Sequence, residues 1–285
     1  MILSVLGAGT PIPTKERYGN GCVLRVGADR MLFDCGPATT HKLVKADILP
    51  TQVNYLFFTH HHYDHNVDYA CFVLCRWDQG AGLEPRLQVF GPPPTEWVTD
   101  RLLGEAGAFS HDWKARIAHP GSQSVHVNRG GSLPRRPPTV DVMDVGPGQV
   151  TEGDGWSVTA ALAQHTEPWL ESLAYRVDSK EGSIVFSGDS APCESLCDLA
   201  AGADNLIVHC WDHQEVLDAS GEGPGEMGTV AAAEMAQGCG VRRLIINHCT
   251  PNLTRPGSRE KAVGDVARLY DGEIVFVEEL MTLPL

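Results

Sequence analysis

The sequence predicts an α+β fold in which two mixed β-sheets pack face to face and helices cover the outside. Three observations lead there. Short apolar or alternating runs bounded by glycine crowd the first third of the chain. Strand and helix patterns alternate through the second half as βα units. Glycine and proline, 30 and 19 residues of 285, are spread throughout, so the elements are short and joined by turns.

In order, Ile2–Leu6, Cys22–Val26 and Met31–Asp34 read as strands. The run 39–46 has a helical pattern with Thr39 or Thr40 as its cap. Asn54–Phe58 is a compact apolar run, as a buried strand requires, and Val67–Trp77 is helical. The stretch Pro120–Pro138, rich in Gly, Ser, Arg and Pro, reads as a long functional loop or insertion. Within it, Arg129–Arg136 reads as a loop tethered by solvated arginines. A strand signal resumes at Thr139–Val145. Further strands are expected at Ser157–Ala163, Leu173–Val177, Ser183–Ser187, Leu206–His209, Leu244–Asn247 and Glu273–Val277. Helices are expected at Pro192–Ala200, Thr229–Gln237 and Arg259–Tyr270.

Composition narrows the function classes. Asp and Glu exceed Lys and Arg by 36 to 22, a formal net charge of −14, which argues against a broad nucleic-acid or anionic-membrane surface. No apolar run approaches the ~18–20 residues that span a bilayer, and the first residues read as a strand rather than a signal peptide. Nine cysteines, an odd number with no CxxC, argue against a disulfide framework and for reduced thiols in a cytoplasmic protein. Gly7-Ala-Gly9 follows a strand, but Pro11 and Pro13 break the helix that a dinucleotide loop needs. Gly221–Gly228 reads as a flexible turn, since it lacks the Gly-Lys-Ser/Thr of a phosphate loop.

The chemistry concentrates in Thr59-His60-His61-His62-Tyr63-Asp64-His65, directly after the apolar run Asn54–Phe58. Imidazole and carboxylate are the ligands of a zinc ion that stays open to substrate. Alternation puts His60 and His62 on one side of an extended segment, with Asp64 and His65 around the following turn. One stretch can therefore feed two neighbouring ions.

His-x-His-x-Asp-His after an apolar strand resembles the metallo-β-lactamase superfamily. Leu6-Gly-Ala-Gly-Thr10, Leu32-Phe-Asp-Cys-Gly36 and Phe58-Thr-His60 resemble the opening of its ribonuclease Z and phosphodiesterase branch. The resemblance extends over nearly the whole chain and implies an αββα sandwich, one domain over 1–285, with a lid or insert around 109–138. It also implies a ligand set: His60, His62 and His165 for one ion, Asp64, His65 and His248 for the other, and Asp189 bridging both. Asp34 takes the place of the aspartate that holds the motif loop from behind. Two cations ~3.5–4 Å apart can share a water and lower its pKa toward ~7, giving a hydroxide that attacks an electrophile. Zinc is the expected metal, with manganese and iron open alternatives.

Departures from the branch limit the substrate. Ribonuclease Z proteins carry a projecting tRNA arm between the third histidine and the bridging aspartate, but His165 and Asp189 are 24 positions apart and strands fill that interval. The family's proton-donating histidine is followed by glutamate. Here His209 is followed by Cys210, so His209 is a candidate general acid with no evident orienting partner. Trp169 and Trp211 follow His165 and His209 closely and are candidate pocket walls. His111, His119 and His126 are too loosely spaced for a metal cluster and read as surface residues.

The expected function is metal-dependent hydrolysis of a small organic ester or phosphodiester, with Asp64 and His209 in the chemistry. Dehalogenation or hydrolysis of an activated aromatic or lactone, and a non-catalytic metal-binding role, are the alternatives. A small-molecule substrate, no nucleic acid, no membrane and, by analogy with the branch, a homodimer complete the expectation.

Overall fold

A computed structural model describes residues 1–285. Fourteen strands build two seven-stranded sheets. The first half supplies β1 (Ile2–Ala8), β2 (Asn20–Val26), β3 (Asp29–Phe33), β4 (Tyr55–Phe57), β5 (Gln88–Gly91) and β6 (Asp141–Asp144). The second supplies β7 (Gly148–Gly153), β8 (Trp156–Leu162), β9 (Leu173–Ser179), β10 (Gly182–Phe186), β11 (Asn205–His209), β12 (Arg243–Asn247), β13 (Glu273–Phe276) and β14 (Thr282–Pro284). The orders are β14-β1-β2-β3-β4-β5-β6 and β13-β12-β11-β10-β9-β8-β7. In each sheet one side is antiparallel and the other parallel.

The burial pattern follows from this topology. β8 alternates buried and partly exposed residues, as a strand with one covered face must. β11, central and parallel, is buried at every position and reads as a continuous apolar run, Leu206-Ile207-Val208, between Asn205 and His209. Between the sheets lies a core that includes Leu3, Phe33, Phe57, Tyr175, Ile184, Phe186, Ile207 and Ile245, with the Phe33 and Phe186 rings stacked at 3.8 Å. Two outer cores seal the helices. Leu43, Tyr69, Phe72 and Val73 pack on the first sheet, and Leu196, Ala232, Ala236, Ala262 and Val266 on the second. Alanine on the inner face of helix Thr229–Gly238 lets that helix sit close to the sheet. No helix is long and apolar enough to cross a membrane.

Three expectations for the region after β5 need correction. Pro120–Asn128 is a helix, not loop, with Pro120 in its first turn and His119 accepting from the Ser122 N–H. It follows helices Thr95–Leu103 and Ser110–Ala118, which the sequence reading did not resolve. Of the arginines, Arg129 and Arg136 are exposed as expected, but Arg135 is not solvated. Arg129 and Arg135 each reach Asp78 at 2.8 Å, and buried Arg135 stacks 3.8 Å over Trp77. His126, expected on the surface, is buried, with Nε2 3.2 Å from the Ser132 carbonyl oxygen. His111 and His119 are exposed as expected.

Asp78 thus fastens the 109–138 segment to the C-terminal end of helix Tyr69–Gly80. Burial alone would raise its pKa, but Arg135 and Arg129 outweigh that and hold it below the usual carboxylate range. A depressed carboxylate stabilises the fold above its unfolded pKa of ~3.9 and loses that contribution as pH falls through the lower folded value. Asp78→Ala should cost about 3 kcal/mol at neutral pH, because Arg135 stays buried without its partner. The deficit should vanish in strong acid, and chemical denaturation at the two pH values checks it.

Candidate metal centre

The candidate ligands gather where strands end. His60 follows β4, His165 follows β8, Asp189 follows β10 and His248 follows β12, all at the carboxyl ends of their strands. The short helix Tyr63–Asn66 turns Asp64 and His65 back beneath His60. His248 and Asp34 adopt left-handed backbone, φ 51° and 60°, conformations that surrounding contacts must enforce.

One group forms around His60, His62 and His165: His62 Nδ1 lies 3.0 Å from His60 Nε2 and 3.2 Å from His165 Nε2. A second forms around Asp64, His65 and His248. There His65 Nε2 and His248 Nε2 are 3.3 Å apart, and Asp64 Oδ2 stands 3.6 and 3.5 Å from them. Asp189 Oδ2 connects the groups, 3.1 Å from His248 Nε2, 3.4 Å from His65 Nε2 and 4.0 Å from both His60 Nε2 and His165 Nε2.

The outer nitrogens fix which inner ones are free. Carbonyl and carboxylate oxygens only accept, so His165 Nδ1 donates to Gly225 O at 2.9 Å, His248 Nδ1 to Gly9 O and His65 Nδ1 to Asp34 Oδ2 at 2.8 Å. Each Nε2 lone pair therefore points inward. Asp34 is itself held: its Oδ1 accepts from the Thr59 N–H at 2.8 Å and its Oδ2 from Asn20 Nδ2 at 3.0 Å, while Asn247 Nδ2 donates to Asn20 Oδ1 at 3.1 Å.

This arrangement fits a pair of cations. Inward lone pairs face one another, and buried Asp64 Oδ2 and Asp189 Oδ1 have no hydrogen-bond partner. Buried acceptors without donors are costly unless a cation satisfies them. Burial drives the His60 imidazole well below its usual range, keeping it the neutral ring a metal needs. Burial would raise Asp189, but His248 and His65 outweigh it and hold the carboxylate well below its usual range.

The pattern of the family described as Beta-lactamase superfamily domain matches residues 29–249. The chain belongs to the metallo-β-lactamase superfamily. Within the superfamily its kinship is to the ribonuclease Z and phosphodiesterase-like branch. Ribonuclease Z of Mycolicibacterium gilvum (strain PYR-GCK) is 30% identical over 98% of this chain and 94% of its own length. That of Mycobacterium avium (strain 104) is 30% identical over 98% and 96%. Among solved structures, the metallo-β-lactamase fold protein YhfI of Bacillus subtilis superposes with a TM-score of 0.73 at 17% identity, covering 99% of this chain and 98% of that one. Human tRNase Z, short form, gives 0.69 at 18%, covering 100% and 99%. The two His/Asp clusters are those of a dinuclear-metal hydrolase of this superfamily, in which zinc is the common metal.

Beyond the ligands, the structure gives His209 the partner that its sequence neighbour Cys210 does not provide. Ser190 N–H donates to His209 Nδ1 at 3.1 Å, so Nε2 carries the proton and donates to Glu226 Oε2 at 2.7 Å. Glu226 Oε1 lies 3.8 Å from His165 Nδ1. The turn 221–228 thus does more than reverse the chain: Gly225 orients a ligand and Glu226 engages His209. Neither residue carried a local signal, since Glu226 lies 17 positions after His209. Neither tryptophan is enclosed. Trp169 is 86% exposed, and half-buried Trp211 donates from Nε1 to Glu222 at 3.0 Å.

Proposed function

We propose that the protein hydrolyses a small organic ester or phosphodiester at a dinuclear zinc centre formed by His60, His62 and His165, by Asp64, His65 and His248, and by Asp189 between them. The observation that carries this reading is the approach of Asp189 Oδ2 to four imidazole nitrogens within 4.0 Å at the ends of both sheets. When bound, the two ions supply Lewis acidity and a water acidified toward neutrality.

The chain's own residues do the rest. Asp34, Gly9 O and Gly225 O fix the ligand rings. The His209–Glu226 pair holds a proton between Nε2 and Oε2 beside His165 and delivers it to the leaving group, with the half-buried Glu226 as the exposed member. Glu226→Gln should therefore slow esters of poor leaving groups by about 10²-fold and leave p-nitrophenyl esters within a few-fold. A plot of log kcat/KM against leaving-group pKa, steeper in the variant, checks this.

A small molecule is favoured over nucleic acid by the chain between His165 and Asp189, which is used up by one loop and the β9–β10 hairpin. The 109–138 segment reads as a brace rather than a lid, since Arg129 and Arg135 fasten it to Asp78 at the far, C-terminal end of helix Tyr69–Gly80. Turnover of p-nitrophenyl acetate and bis(p-nitrophenyl) phosphate, lost with chelator and restored by zinc, tests the function. A zinc-replete protein inert toward both would reject it.

A further inference from the structure

The half of the molecule that supplies His165, Asp189 and His209 is almost free of cationic side chains. Between positions 137 and 241 there are 18 Asp and Glu but only two Lys and Arg, Arg176 and Lys180. Arg176 is spent on Asp178 and on the carbonyls of Leu199 and Ala201. Both segments that follow ligand or His209 strands on this side, 163–172 and 210–228 with its helix Gln214–Ser220, contain carboxylates and no Lys or Arg. On the facing side, Arg17 is buried with a guanidinium nitrogen on Ala8 O, which leaves Lys15 as the exposed cation of the 9–19 loop.

In this acidic wall stands an aromatic ring with no protein partner. Trp169 is 86% exposed, yet its loop is built rather than loose. The Trp169 N–H donates to Thr166 O at 3.0 Å, Thr166 bridges Leu170, and Glu167 Oε2 accepts from the His165 N–H at 2.8 Å. Four residues cannot carry Trp169 more than about 14 Å from His165, and the turn brings it closer. Its neighbours Glu167 and Glu171 are carboxylates, the second half-buried where the loop rejoins β9 and Leu173 N–H donates to Thr59 O at 2.8 Å. An exposed indole on a pinned loop, with a carboxylate two positions to either side, suits a cationic nitrogen group, which it attracts through the ring quadrupole and direct charge. The same wall repels a polyanion.

We propose that the centre serves a small substrate carrying a cationic nitrogen group, held against Trp169 with Glu167 and Glu171 beside it while the bond to be cleaved lies at the metal ligands. This rests on the hydrolase reading and narrows its substrate class. The test is binding of phenyltrimethylammonium to the zinc-loaded protein, against neutral tert-butylbenzene and anionic benzenesulfonate, read by isothermal titration calorimetry in the parent protein and each variant. The cation should bind at least about 10-fold more tightly than either, with a preference that shrinks as salt rises. Trp169→Ala, a change at an exposed side chain, should erase the preference, and Glu171→Gln should reduce it and flatten its salt dependence. Equal binding of the three probes, or a preference that survives in Trp169→Ala, overturns the proposal. Zinc-dependent turnover of neutral p-nitrophenyl acetate is scored separately. A protein that prefers the cation but cleaves no ester refutes the hydrolase reading and upholds the cation site.

Discussion

Asp64→Ala is expected to lower zinc-dependent turnover by at least about 10³-fold while leaving a folded protein. Asp64 Oδ2 is buried, makes no hydrogen bond, and faces the Nε2 atoms of His65 and His248 at 3.6 and 3.5 Å. It is the carboxylate of the second ligand group that is not shared with the first, so its loss leaves that group with two imidazoles and the shared Asp189. The fold should survive because the side chain lies at the mouth of the sandwich and the cores between and outside the sheets do not include it. Three measurements on one preparation decide the matter: metal per chain, kcat/KM and thermal melting. The expected outcome is one ion in place of two, turnover near background and a cooperative melt. Two ions per chain with wild-type kcat/KM would remove Asp64 from the ligand set.

Gly225→Ala should be nearly as damaging, although the residue is neither ligand nor catalyst. Its φ is +84°, a conformation that costs an L-residue roughly 1–2 kcal/mol. A Cβ there would stand 2.1 Å from His165 O and 2.9 Å from its carbonyl carbon, backbone atoms that cannot rotate away. The turn must retreat, which breaks the bond from His165 Nδ1 to Gly225 O and draws Glu226 from His209. Loss of an outer partner of a ligating histidine typically costs 10–100-fold in affinity or activity. With Glu226 displaced as well, a fall of about 10²-fold or more in kcat/KM and weaker zinc retention are expected. Gly223→Ala is the control, because a Cβ at that position meets nothing within 4 Å. The same kinetics in both variants would show that the turn clamps nothing.

The candidate ligands were legible because each belongs to a local pattern. His60, His165, Asp189 and His248 lie within three residues of the end of an apolar run, and strand ends in a layered sheet meet on one edge. Eleven of the fourteen strands were legible from periodicity, whereas β5, β7 and β14 carried too little pattern to be read. Weak patterns failed. Pro120–Asn128 folds as a helix although Pro, Gly and two serines dilute its pattern, because neighbouring helices and the arginines on Asp78 hold it in place.

What the sequence by itself determined, then, is the type of most elements and the chemistry waiting at the strand ends. These depend on side chains a few positions apart, whose spacing is fixed by the rise of a strand or the turn of a helix. The tertiary structure alone decided that Glu226 meets His209, that Gly225 O orients His165, and that Trp169 stands in solvent while Arg135 does not. Those outcomes depend on which loops two packed sheets bring together across 17, 60 or more positions of chain, a distance over which spacing carries no geometric information.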